Sequence, residues 1–172
     1  MQLIPRFSTF LMSIIFDSKY GLLYTSIMSF REKSSWISFV LILIAALLYF
    51  RTVLQIPLSV RNAPVGLFVT AALLIVGAIG ITVLEIVAHI IAAIAAPGDA
   101  MAPTDERDRY VAAKAKGFAF LVLSGVVLVT IAGLLLGMTP WATRQALVFA
   151  FVVGELVHYG AEIVYYRCGS LK

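Results

Sequence analysis

The sequence predicts an all-α integral membrane protein, a four-helix bundle whose termini both lie on the cytoplasmic side. Three observations predict it. Of the 172 residues, 62% are hydrophobic and 13% charged, and the mean hydropathy is +1.01. Water-soluble domains run at about 45–50% apolar and about 25% charged. Next, four apolar stretches free of internal proline are long enough to span; an α-helix needs about 20 such residues to cross a hydrocarbon core of about 30 Å. Finally, ten of the 13 Lys and Arg side chains fall on the side of the termini and three on the other. Basic loops of this kind stay in the cytoplasm.

The first span covers residues 36–56, with Trp36 as an interfacial anchor and Arg51 near the far end. The second begins after Pro64, and its apolar character continues to Pro97. It carries Glu85 and His89, four apart on one helix face. The third covers 117–137. The segment before it, "DERDRYVAAKAKG", holds no breaker, so one helix is expected over 105–137. It would be about 50 Å long and project its first turns into the cytoplasm. Pro103 and Thr104 give its start, with Thr104 as the cap and acids in the first turn. Asp105 and Arg109 are spaced to pair on one face. The fourth span covers 145–166, with Trp141 before it and Tyr165–Tyr166 closing it as aromatic anchors.

Residues 1–27 read as an N-terminal arm or upstream extension, broken by Asp17 and Lys19. Met28 then opens the transmembrane domain, 28–172. Lipid supplies no hydrophobic drive between helices, so small residues let them approach. Gly77, Gly80, Gly125, Gly133, Gly137, Gly154 and Gly160 are expected to pack inside the bundle, with a dimer interface as the lesser alternative for the Gly133–Gly137 GxxxG.

Several classes of chemistry have no sequence basis. Cys168 is the single cysteine, which excludes an internal disulfide and a CxxC metal site. G-x-S-x-G, H-E-x-x-H and Walker A motifs are missing, so no enzyme is expected. Asp105, Glu106, Arg107, Asp108 and Arg109 nearly balance in charge. They read as a solvated helix start, and no nucleic-acid partner is expected.

Three short motifs frame the spans: "FREKSSW", "DERDRYVAAKAKG" and "YYRCG". In this layout the chain resembles a family of small, uncharacterised bacterial four-span membrane proteins. Their marks are an EK-x-x-W start, a DERD-type signature and a YRRG-like end. The matching residues are Glu32, Lys33 and Trp36; Asp105, Glu106, Arg107 and Asp108; and Tyr166, Arg167 and Gly169. Cys168 stands where a second arginine is usual. The resemblance covers residues 28–169. It implies a multi-pass fold in the cell (inner) membrane and supplies no activity.

The residues that invite a functional reading are ionisable and lie inside spans: Arg51, Glu85, His89, Glu155, His158 and Glu162. Such residues are costly in a bilayer and face the protein interior or a wet cavity. Glu155, His158 and Glu162 share one helix face. Glu155 is expected near the midplane, where a salt bridge to Arg51 would offset its cost. Three readings follow. The set is structural, in a non-enzymatic interaction or regulatory subunit. Or it is a relay in a small proton- or cation-linked transporter or channel. Or it is a metal or haem site, with His89, Glu155, His158 and Glu162 as the candidate ligands. Glu155-x-x-His158 has the spacing of carboxylate-bridged metals, but a full diiron site needs two such motifs and two further glutamates. The two imidazoles sit at different levels for haem. No cofactor is predicted. Expected partners are membrane lipids, a second copy or another membrane protein.

Overall fold

The computed structural model describes residues 29–100 and 105–168. The arm over 1–27, Thr104 and Gly169 lie outside the described residues. Among the described residues every regular element is helical. The elements are α1 (Phe30–Leu54), α2 (Leu58–Arg61), α3 (Pro64–Ala95), α4 (Pro97–Ala100), α5 (Glu106–Leu135) and α6 (Pro140–Cys168). Four of them, α1, α3, α5 and α6, are long and apolar enough to cross a membrane.

Polar capping carries these helices beyond their apolar runs. Ser29 caps α1 by accepting the Glu32 N–H at 3.2 Å, so the helix starts six residues before Trp36. Ser29 and Glu32 form the S-x-x-E start signal. Pro64 opens α3, where a missing N–H costs nothing. This helix runs unbroken for 32 residues, about 48 Å. Asp105, placed inside α5 by its sequence, is instead the cap: its carboxylate accepts the Glu106 N–H at 2.7 Å. A carboxylate turned onto the helix end serves the backbone donors there. Thr139 accepts the Ala142 N–H and starts α6 at Pro140, ahead of the apolar stretch.

The "GLLLG" motif ends α5 rather than packing it. Gly137 has φ +92°, a left-handed conformation. Met138 N–H bonds Gly133 C=O at 2.9 Å and Gly137 N–H bonds Leu134 C=O at 3.1 Å. This is the Schellman arrangement, and the Met138 side chain covers the space over Gly133. At the other hairpin, Gly66 lies so close to the Val60 carbonyl that any Cβ would overlap it.

In space the long helices form an antiparallel row, α3–α1–α6–α5, with no comparable contact between α3 and α5. Ser29, Ala95, Glu106 and Cys168 lie at one end, the motif end. Residues 55–63 and 136–139 form the other, the turn end. Small side chains hold the row together: Ala115 and Ala150 are fully buried, and Ala119 nearly so. Gly154 approaches Leu123 of α5, and Gly160 approaches Phe39 of α1, as expected of packing glycines. Gly77, Gly80 and Gly125 do not behave so; a Cβ on any of them would meet nothing within 4 Å. The large apolar residues point outward, among them Phe68, Val76, Ile79, Ile91 and Leu128. Water-soluble monomers seldom carry apolar surface on this scale.

Candidate functional site

Three serines near the start of α1 build a polar site between helices. Ser34 and Ser38 are one turn apart, and Ser35 lies beside them, so all three face the neighbouring helices. Ser35 and Ser38 are each 3% exposed. Ser35 donates to Glu162 Oε2 of α6 at 2.6 Å. Ser38 hydrogen-bonds Tyr159 of α6. Ser34 Oγ lies 2.7 Å from His89 Nε2 of α3. The result is a polar seam through three apolar helices, toward the motif end.

His89 is fixed by its second nitrogen. Nδ1 lies 2.7 Å from the Glu85 carbonyl, which can only accept. Nδ1 therefore carries the hydrogen, and in the neutral ring Nε2 accepts the Ser34 proton. Both ring nitrogens are thus engaged within the protein. His158 differs. Its Nδ1 is 3.9 Å from Glu155 Oε2 and its Nε2 is 3.3 Å from Glu162 Oε1. The shorter approach lacks hydrogen-bond alignment, and Nε2 is buried with no hydrogen-bond partner. The ring lies 4.7 Å from that of Tyr159. Tyr159 is also within electrostatic reach of Glu85, Glu155 and Glu162. Glu85 Oε1 is buried without a hydrogen-bond partner. Among the described residues, no three His, Cys, Asp or Glu side chains are arranged to hold a metal ion.

The expected Arg51–Glu155 pair does not form. Tyr49 bonds Gln145 and Ser35 bonds Glu162. That register sets Glu155 opposite α1 at about residue 42, roughly 13 Å below Arg51 at 1.5 Å per residue. Arg51 is exposed in the last turn of α1, and the ionisable neighbour of Glu155 is its own helix's His158.

A second constellation sits at the motif end. Glu32, 8% exposed, takes Arg167 Nε at 3.0 Å. Arg31 pairs with Asp108 at 2.9 Å. Arg107 donates to the Tyr166 carbonyl at 3.2 Å, and Tyr166 hydrogen-bonds Asp108. The Arg167 guanidinium lies 5.7 Å from the centre of the Trp36 ring. Residues of "FREKSSW", "DERDR" and "YYRCG" thus form one clamp across α1, α5 and α6. The DERDR charges point partly to other helices and not only to one another. Arg109 is exposed; its N–H bonds the Asp105 carbonyl as the first helical turn closes.

The serines and Tyr159 were not singled out in the sequence. Their signal was present in "SSWIS", whose hydroxyls recur at helical spacing in a segment otherwise suited to lipid. A cleft between α1 and α3, of about 360 Å³, is lined by Leu41, Leu48, Tyr49, Gly77, Gly80 and other mainly aliphatic residues. Neither Glu155 nor any residue of the seam lines it. Comparisons with protein-family models, with curated proteins and with solved structures found no match to this chain.

Proposed function

We propose that this is a multi-pass membrane protein, with both termini cytoplasmic, that works by lateral association as a non-enzymatic interaction or regulatory subunit. The open face of α3 supports this reading most directly. Glycine in a helix interior costs about 1 kcal/mol relative to alanine. A Cβ on Gly77 or Gly80 would meet nothing within 4 Å, so no close helix approach within the chain calls for glycine there. Both border the aliphatic cleft against α1. Small residues beside a groove let a second transmembrane helix approach closely. The partner is another membrane protein or a second copy of this chain.

The alternative, a small proton- or cation-linked carrier, would draw on the unpartnered Glu85 Oε1 and His158 Nε2. The aliphatic cleft and the serine-bonded seam favour the interaction reading. The ten-to-three basic split and the motif resemblance support the orientation and the inner-membrane location.

Filling the face tests the association. The double substitution Gly77→Leu, Gly80→Leu is expected to leave helicity and thermal stability nearly unchanged, because both sites are open. It should abolish crosslinked complexes formed by the wild-type chain in native membranes. Complexes that persist unchanged in the filled variant would remove the basis for this reading.

A further inference from the structure

The turn end collects cations and donors with no acid to meet them. Carboxylates are missing from residues 33–84 and from 109–154, whereas Arg51, Arg61 and Arg144 all fall there. Arg61 and Arg144 both lie near one ring: their guanidinium carbons are 5.5 and 5.9 Å from the centre of Trp141, itself 9% exposed. Arg61 donates through Nε to the Ile56 carbonyl and through Nη2 to the Leu54 carbonyl, both at 3.0 Å. It thereby covers the last carbonyl of α1 and one just beyond the helix. Arg144 Nη2 donates to the Arg61 carbonyl at 3.2 Å. A guanidinium has five N–H groups in a planar fork, so both arginines keep donors unused by these bonds.

Two neighbouring donors mark the same gap. Arg144 Nε is buried without a hydrogen-bond partner. Gln145 accepts the Tyr49 hydroxyl on Oε1 at 3.0 Å, and its Nε2 is likewise buried and unpartnered. A buried donor left unpaired costs about 1–3 kcal/mol, so it is kept where something else serves it. All the unpartnered atoms at this end are donors among the described residues, and the local formal charge is positive.

We propose that the turn end binds a phosphate group, held by Arg61 and Arg144 beside Trp141, with Gln145 as a further donor. Planar guanidinium forks match phosphate oxygens, and water-depleted surroundings strengthen the contact. The headgroup of an anionic phospholipid is the source that a membrane boundary offers. That source rests on the membrane reading above. The phosphate chemistry does not, since it follows from the donors alone.

Trp141 is a built-in reporter. The full chain carrying Trp36→Phe, purified in an uncharged detergent, has Trp141 as its single tryptophan. Its emission would be titrated with short-chain phosphatidylglycerol, with inorganic phosphate, and with chloride at matched ionic strength. A saturable change is expected with the lipid and not with chloride. Saturation by inorganic phosphate as well would assign the site to a soluble phosphate. Arg144→Gln should weaken binding at least roughly tenfold, and Arg144→Lys, which keeps charge without the fork, should fall between. If Arg144→Gln does not fold, the chloride and phosphate arms on the parent chain still decide. The proposal is overturned if neither phosphate compound gives a saturable change, or if a folded Arg144→Gln binds as the parent does.

Discussion

Ser35→Ala is expected to destabilise the protein by about 2–3 kcal/mol, more than Glu162→Leu does. The asymmetry follows from who is left unpaired. Ser35 is 3% exposed, and its hydroxyl lies 2.6 Å from Glu162 Oε2 and 3.0 Å from the Arg31 carbonyl. If Glu162 is removed, the hydroxyl turns to Arg31 and stays satisfied. If Ser35 is removed, Glu162, its side chain 14% exposed, keeps a mostly shielded carboxyl with no donor but the misaligned His158. An unsatisfied buried group costs about 1–3 kcal/mol, and more when charged. The double variant Ser35→Ala, Glu162→Leu should recover part of the loss, because it removes both partners. Reversible unfolding in bicelles reads all three. Equal costs for the two single variants would mean that the seam is not held by this bond.

Arg167→Ala is expected to cost about 2–3 kcal/mol. It strands Glu32, whose side chain is 11% exposed, and withdraws the cation from the face of Trp36. Breaking a fully buried pair costs about 3–5 kcal/mol. The Arg167 side chain is 34% exposed, so solvent screens part of that. Loss of the aromatic contact adds about 0.5–1 kcal/mol. Adding Glu32→Gln removes the stranded charge and should restore more than half of the loss. Purely additive costs in the double-mutant cycle would show that Arg167 stabilises by packing alone.

The helices were legible and their mutual register was not. Long apolar runs bounded by Ser29, Pro64, Gly137 and Pro140 leave little choice about where helices lie. Setting two helices against each other depends on contacts between distant residues, such as Glu32 and Arg167, 135 positions apart. The Arg51–Glu155 expectation failed for this reason. Capping extends α1 back to Phe30 and α6 to Pro140. Arg51 belongs to the last turn of α1, and Glu155 lies well inside α6. The ionisable set was found because charge stands out in an apolar helix. The serines that bond it were passed over because a hydroxyl barely disturbs hydropathy. The clamp was visible only as three motifs; that they meet is a property of the row. The glycines divided by geometry. Gly154 and Gly160 pack, Gly137 turns, and Gly77 and Gly80 stay open.

We propose that these four helices cross a membrane with the motif end in the cytoplasm. Sidedness of labelling tests it most directly. Cysteines would replace Ser59 in α2 and Arg109 in α5, both exposed, in a Cys168→Ser background. A membrane-impermeant maleimide added to intact cells should label the Ser59→Cys chain and spare the Arg109→Cys chain. Inside-out vesicles should give the reverse. Labelling of both positions from one side would contradict the four-span account.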